Sequence, residues 1–515
     1  MFTSVKSASL AGIEARPIEV EVDVSRGLPN FVVVGLADSA IRESKERIRS
    51  AIKNSGFKFP ARRITINLAP ADLRKEGTAL DLPAALGIIA GELGELRQNP
   101  GLREYLFCGE LSLDGRVKAI RGALPLALAA RNDGRKGIFL PRGNAVEAAV
   151  ITGLEIVPVT SLNEVLEILR GECDRPEIPA EPATGPEEAA PAPDFAEVRG
   201  QSLAKRGLEI AAAGGHNLIF VGPPGSGKTM LARRLPTILP ELSFEEALES
   251  TIIHSVAGLI APGRGLLREL PFRQPHHTIS DVALVGGGAH PTPGEVTLAH
   301  NGVLFLDELP EFKRQVLEVL RQPLENRRIT IARAQARAEF PAAFILIAAM
   351  NPCPCGHLGD RLQQCSCSAT QIQRYRQKIS GPLLDRIDLH LEVPAVAPEE
   401  LLAQPTPAAA AESSATIRER VVQARQLQRR RRPQAVSPTN SGLSDRELKD
   451  FCPLDRESRN LLQMSMERLG LSARAYSRIL KVARTIADLA ERRDITSGDI
   501  AEAIQFRALD RRLSL

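Results

Sequence analysis

One stretch restricts this chain more than any other. The apolar run NLIFV at 217 to 221 leads without a break into Gly222-Pro223-Pro224-Gly225-Ser226-Gly227-Lys228-Thr229, and the helical pattern MLARRL follows. Strand, glycine-rich turn and helix in that order form a phosphate-binding loop, which demands a buried parallel sheet behind it. The glycines let backbone N–H groups wrap phosphate oxygens, and a helix opening near Lys228 aims its positive end at them. Lys228 then meets the β and γ phosphates of ATP, and Thr229 offers its hydroxyl to Mg2+.

A second apolar strand, GVLFL, runs into Asp307 and Glu308. This puts two carboxylates at the C-terminal edge of a parallel sheet, where nucleotides bind. Asp307 is expected to orient Mg2+, and Glu308 to polarise the attacking water as general base. A third run, FILIAAM, ends at Asn351, whose amide can reach the γ-phosphate or the lytic water; an ordinary Asn-Pro turn is the alternative. Arg386, between a short helix and a strand in SGPLLDRIDLHLEV, is placed to reach a neighbouring subunit's ATP, because a guanidinium is the usual charge stabiliser supplied in trans. Arg474, at the start of a later helix, is the candidate to sense nucleotide from the same chain.

A chain of 515 residues is too long for one core, and its patterning divides it. Residues 172–194 are rich in Pro, Ala and Glu and read as a linker, and 401–416 read as a second. Residues 1–171 alternate strands (EVEVDV, NFVVVGL, RITINLA, YLFCGEL) with amphipathic helices at 38–55 and 80–91, an α/β module. Residues 195–400 carry the phosphate loop, and 417–515 read as a helical bundle. The arginine run Arg429 to Arg432 beside the second linker reads as a flexible surface tail.

No apolar run of about 18 residues is present to cross a membrane, and the N-terminus lacks the core of a signal peptide, so a cytoplasmic protein is expected. A net charge of +4 permits an anionic partner without demonstrating one. With aromatics at 4% and no Trp, binding to nucleic acid must lean on Arg and Lys rather than base stacking.

Of seven cysteines, Cys353, Cys355, Cys365 and Cys367 crowd into one short loop. Two Cys-x-Cys pairs supply the four thiolates that a structural Zn2+ prefers, although the spacing is not the usual Cys-x2-Cys knuckle. Four reduced thiols in an ordered loop are the other reading, and His357 is a spare ligand candidate. His276 and His277 read as ordering a loop or touching a partner.

With these elements in order, the chain resembles the AAA+ ATPases, and more closely the magnesium-chelatase-like branch typified by the bacterial ComM (YifB) proteins. The stretches carrying the resemblance are PFRQPHHTISDVALVGGGAHPTPGEVTLAHNGVLFLDELPEF, MNPCPCG and SGPLLDRIDLHLEV. The resemblance implies a homo-hexameric ring that hydrolyses ATP between subunits and promotes branch migration of DNA recombination intermediates in natural transformation. It makes Lys228, Thr229, Asp307 and Glu308 the Walker residues, Asn351 sensor 1, Arg386 the arginine finger and Arg474 sensor 2. It also implies a hairpin in RITIARAQARAEFPAAFILI, with Arg333 and Arg337 near its tip and facing the pore; their charge makes them the local candidates for DNA phosphate contacts, with solvated turn residues as the alternative. A magnesium-chelatase motor subunit and an ATP-dependent protease or chaperone are the alternatives.

The segments NLAPADLRKEGTALDLPAALGIIA and GELSLDGRVKAIRGALPLALAARNDGRKGIFLPRGNAVE resemble the proteolytic domain of Lon-type proteases, which has a ribosomal S5-type α/β fold. That family uses a Ser–Lys pair. Here Ala79 stands at the Ser position, and the Lys position falls among Ala123 to Leu126. Thr78 lacks an activating partner. The domain is expected to be catalytically inactive.

Overall fold

The computed structural model describes residues 1–75, 77–180, 193–288, 291–333, 336–360, 363–395, 412–435 and 437–507, and nothing is said of the side chains of Ser39, Ala40, Arg42, residues 332–337 and Leu469. The N-terminal region opens with an antiparallel pair, β1 (Phe2–Ala11) and β2 (Glu14–Ser25), extended by β3 (Asn30–Val34) and β4 (Arg63–Ala69) into a sheet of order β1-β2-β4-β3. Along β2, Ile18, Val20, Val22 and Val24 are buried in turn, the period of two that lays one face on a core. Helix α1 (Ser39–Asn54) starts where the Asp38 carboxylate accepts from the Ile41 N–H, and α2 (Asp81–Glu92) is apolar all round because it is buried. The Val22 methyl lies so close to Gly87 that a Cβ there would meet it at 2.5 Å, which lets α2 sit down on the sheet.

A second, parallel sheet holds β5 (Tyr105–Phe107), β6 (Gly137–Pro141) and β7 (Glu155–Val159) beside helix α3 (Ala123–Asn132). The strand expected over YLFCGEL is therefore split, since the chain leaves β5 at Cys108 and Glu110–Leu111 pairs elsewhere. The strand β1 was not expected at all: in FTSVKSASLA small polar residues hold the buried positions, so its alternation is hidden in a hydropathy reading.

The central region is a five-stranded parallel sheet. Its strands are β8 (Leu218–Val221), β9 (Phe272–Arg273), β10 (Val303–Leu306), β13 (Ile345–Met350) and β14 (Leu389–Glu392), in the order β9-β10-β13-β8-β14. Every residue of β8, β10 and β13 is buried, which is why these strands read as unbroken apolar runs. Between β10 and β13 comes a separate hairpin, β11 (Arg328–Arg333) paired with β12 (Ala336–Pro341), whose Ile329, Ile331 and Phe340 pack into the core beside β10 and β13. Helices α4 (Ser202–Gly214), α5 (Lys228–Ile238) and α6 (Phe244–Ala257) complete this region. The N-terminal region docks on α6, where the Gly122 N–H donates to the Ser255 carbonyl and the Ser255 hydroxyl to the buried Glu147.

The C-terminal region is helical: α7 (Ser414–Arg431), α8 (Arg456–Leu469), α9 (Ala473–Leu489) and α10 (Ser497–Gln505), with a short helix at Asp445–Phe451. Its apolar faces merge with the sheet's, so Leu208, Phe220, Leu389, Val421, Ile479 and Ile486 share one core. Two expectations are corrected here. The end of the stretch read as a linker, 401–416, is already helix from Ser414, capped by Ser413; residues 181–192 and 396–411 lie outside the described residues. The run Arg429 to Arg432 is no tail either, but closes α7, with Arg431 paired to Asp488 at 2.6 Å and Arg432 to Glu447 at 2.6 Å. Both acids come from other helices, so only the tertiary fold supplies them. No described helix is long and apolar enough to cross a membrane.

Candidate functional site

Topology brings the expected residues together at the C-terminal edge of β10, β13 and β8. The turn after β8 uses Gly225 and Gly227 at φ of 75° and 88°, a region that side chains with a Cβ avoid. At Gly222 a Cβ would lie 2.1 Å from the Val393 carbonyl oxygen, so only glycine lets the loop leave the sheet there. The loop ends as Gly227 hands over to α5, whose first residue is Lys228.

The Lys228 ammonium donates to the carbonyls of Gly222 and Pro223, at 2.8 Å each, and to Oδ1 of Asn351 at 3.3 Å. Burial pulls this ammonium below the usual lysine range, and the Asp307 and Glu308 carboxylates oppose that. Thr229 Oγ1 donates to Asp307 Oδ2 at 2.8 Å, which joins the two groups that hold Mg2+ in phosphate-loop enzymes. Fit to a nucleotide and its metal is therefore direct: a glycine-rich cradle, an ammonium, and a hydroxyl–carboxylate pair on one edge.

Glu308 follows in the left-handed region at φ 51°, with its side chain 58% exposed and turned to His277, whose Nδ1 lies 3.5 Å from Oε2. His277 stacks on His276, with ring centroids 4.1 Å apart, and meets Phe312 edge-on. A loop-ordering or partner role was expected for His277. It stands beside the expected base because β9, which it follows, is the immediate neighbour of β10, and no spacing along the chain announces that adjacency.

Arg386 and Arg474 lie elsewhere. The side chain of Asn217, the residue before β8, donates to the Arg386 carbonyl at 3.1 Å. The four-residue strand β8, roughly 13 Å long at about 3.3 Å per residue, separates that edge from the phosphate loop. The Arg386 guanidinium is buried, paired with Glu325 and bonded to the Pro382 carbonyl, and its Nε has no partner among the described residues. Arg474, 65% exposed, pairs with Asp385 at 3.8 Å. The structure thus sets both arginines at one edge, opposite their own chain's phosphate loop, and does not bring Arg474 to the nucleotide it was expected to sense.

Asn351 leads straight into the cysteine loop. The Sγ atoms of Cys353, Cys355 and Cys365 lie 3.4, 3.6 and 3.7 Å apart, and with Cys367 all four fall within 4.8 Å of one another. A tetrahedral thiolate site with metal–sulfur bonds of about 2.3 Å needs sulfurs about 3.8 Å apart, so the group fits a metal ion. The Cys355 and Cys367 N–H groups each donate to a neighbouring Sγ at 3.4 Å. His357 is turned to Asp360 at 2.9 Å rather than into the cluster. The loop also leans on the phosphate loop, since a Cβ on Gly356 would meet Pro224 at 2.6 Å.

The hairpin expected around Arg333 and Arg337 is present. Arg333 pairs with Ala336 and Arg337 with Ala332 at its outer end, while residues 334–335 and these arginine side chains lie outside what is described. In the N-terminal region the Thr78 hydroxyl donates to Glu110, and residues 123–126 are buried and apolar. The buried ammonium nearest in sequence to Thr78, Lys75, is bound to the carbonyls of Gly35 and Pro70.

Family models describe the same three regions. Residues 194–401 match the model for magnesium chelatase subunit ChlI, residues 20–144 a second ChlI model, and residues 411–507 the ChlI C-terminal model. The protein YifB of Escherichia coli is 45% identical over 511 residues, covering 99% of this chain and 97% of its own. The competence protein ComM of Haemophilus influenzae is 43% identical over 514 residues, covering 99% and 98%. A Lon protease of Chloroflexus aurantiacus is 28% identical over 163 residues, 29% of this chain and 19% of its own, a likeness that falls in the N-terminal region.

Proposed function

The chain belongs to the magnesium-chelatase-like AAA+ family, in the group of the bacterial YifB and ComM proteins, and from that premise we propose that it is an ATP-hydrolysing hexameric motor acting on DNA, a branch-migration helicase that serves recombination in natural transformation. The single observation that carries ATP hydrolysis is the meeting of Thr229 and Asp307 at 2.8 Å beside Lys228 and Asn351. Mg2+, when bound, neutralises charge between the β and γ phosphates. Gly225 and Gly227 bare their N–H groups to phosphate, Lys228 places its charge, and Glu308, oriented by His277, takes a proton from the attacking water.

Arg386 then acts in trans. It stands one strand length from its own loop, so the ATP it stabilises is a neighbour's, and Arg474 at the same edge joins it there. The DNA half of the proposal is supported by the relative whose name marks it as a competence protein and by the hairpin bearing Arg333 and Arg337, which a ring would multiply around one duplex or strand. The protein's cytoplasmic location belongs to the same reading.

Cys353, Cys355, Cys365 and Cys367 would hold a structural Zn2+, and the N-terminal region is a Lon-like fold without peptidase activity, since Ala79 and the apolar residues Ala123 to Leu126 stand where that family has its Ser–Lys pair. Steady-state ATP hydrolysis with and without a synthetic four-way junction tests the whole reading, followed by junction resolution into its branch-migrated products. Stimulation by the junction is the expected result. Hydrolysis indifferent to DNA at low salt would remove the DNA-motor assignment.

A further inference from the structure

At the sheet edge opposite the phosphate loop lies a cavity of about 370 Å³, between the starts of β10 and β13 and helix α7. Three arginines line it, Arg327, Arg425 and Arg429. Other arginines of α7 have carboxylate partners: Arg420 pairs with Glu209 at 2.6 Å, Arg431 with Asp488 and Arg432 with Glu447. The cavity's three form no ion pair among the described residues. Arg425 Nε donates to the Ala212 carbonyl at 2.9 Å and Arg327 Nη2 to the Ser441 hydroxyl at 3.2 Å, which leaves guanidinium donors facing the cavity.

The acids at its wall are engaged elsewhere. Glu246 accepts from the Ser243 N–H at 2.8 Å as the cap of α6, and Glu241 pairs with Arg418 at 3.1 Å. Burial pushes the Arg425 guanidinium down to about 10, with Glu246 opposing and Arg429 and Arg327 adding to it; burial lowers Arg327 as well. Like charges gathered around one partly buried cavity, only partly offset by Glu246, raise the free energy of the fold unless an anion joins them.

We propose that this cavity is a second anion site, which takes the phosphate of a small phosphorylated molecule between the sheet and α7. Planar guanidinium forks suit phosphate oxygens, and the volume falls in the range of about 300 to 1,000 Å³ usual for small ligands. Duplex DNA is too wide for it. The site stands apart from the nucleotide loop, and a ligand there would clamp the helical region to the ATPase sheet. It does not depend on the DNA assignment.

The test uses the full chain carrying Lys228→Ala, so that binding at the phosphate loop does not contribute. Inorganic phosphate, pyrophosphate and a short DNA duplex are titrated separately, read by calorimetry and by thermal unfolding. Pyrophosphate or phosphate should bind once per chain and raise the unfolding temperature. Adding Arg429→Gln, at an exposed position that leaves packing intact, should weaken that binding at least roughly tenfold, with Arg425→Gln weakening it further. Binding unchanged by Arg429→Gln, or none at millimolar anion, overturns the proposal. Binding of the duplex that is lost with Arg429→Gln, while both small anions fail, overturns it in favour of a DNA contact.

Discussion

The ring of His277 stands with Nδ1 3.5 Å from the Oε2 of Glu308. One strand end thus holds the side chain proposed as general base at the other. His277→Ala should leave nucleotide affinity unchanged and lower kcat by roughly tenfold to a hundredfold, the cost of misplacing a reacting group by a fraction of a strand spacing. Glu308→Gln should bind ATP and fail to turn it over. A His277→Ala protein with full kcat would show that the contact orders the loop alone.

Arg386 is one strand length from its own phosphate loop, and this sets a mixing experiment. Arg386→Ala should bind ATP normally and hydrolyse little. Chains carrying Lys228→Ala lose the loop's ammonium but keep the arginine, so adding them to Arg386→Ala chains should restore activity in mixed assemblies. Failure to complement, with assembly intact, would argue for action within one chain.

The cysteine loop touches the phosphate loop through Gly356 and Pro224, so metal and turnover should be linked. Purified protein should contain one zinc per chain by elemental analysis. Cys355→Ser with Cys365→Ser should abolish the zinc and lower ATP affinity through a displaced Pro224. Full-length protein free of metal with unchanged hydrolysis would contradict the site.

Asp388 joins the sheet to the helical region. It pairs with Arg478 of α9, and its Oδ2 lies 3.2 Å from His216 Nδ1, whose Nε2 meets Thr485 at 2.8 Å. Burial alone would push this carboxyl up, but the Arg478 guanidinium and His216 outweigh it and hold it well below the usual aspartate range. A folded pKa below the unfolded value of about 3.9 means that the ionised carboxylate stabilises the fold above that pH, and that the stability is lost as pH falls from there toward the folded pKa. Asp388→Asn should cost about 3 kcal/mol at neutral pH, measured by urea unfolding, and flatten the acid limb of the stability curve. An unaltered acid limb would place the acid sensitivity elsewhere.

Much of this site was legible in the chain. Residues 222–229 need their glycines wherever the strand and helix lie, and the runs GVLFLDE and FILIAAMN carry their polar ends with them, because strands buried on both faces leave no choice but apolar sequence up to the edge. The start of α1 was equally local: Asp38, where the helix over 38–55 was expected to begin, caps it with its own side chain. The strand β1 and the helical run Arg429 to Arg432 were not legible. In the first, Thr3, Ser7 and Ser9 are buried where apolar residues would signal a strand, and in the second the partner acids lie in other elements.

By itself, then, the sequence determined the phosphate cradle, the carboxylates and the thiol set, because each is a short-range pattern whose chemistry needs its residues at fixed spacing. The tertiary structure alone decided which strands are neighbours. That choice put His277 on Glu308, Asn351 on Lys228, Arg386 and Arg474 a strand length from their own loop, and three arginines with no ion pair among the described residues around one cavity. Strand order is fixed by the packing of helices and faces summed over the whole core, and no local spacing encodes it.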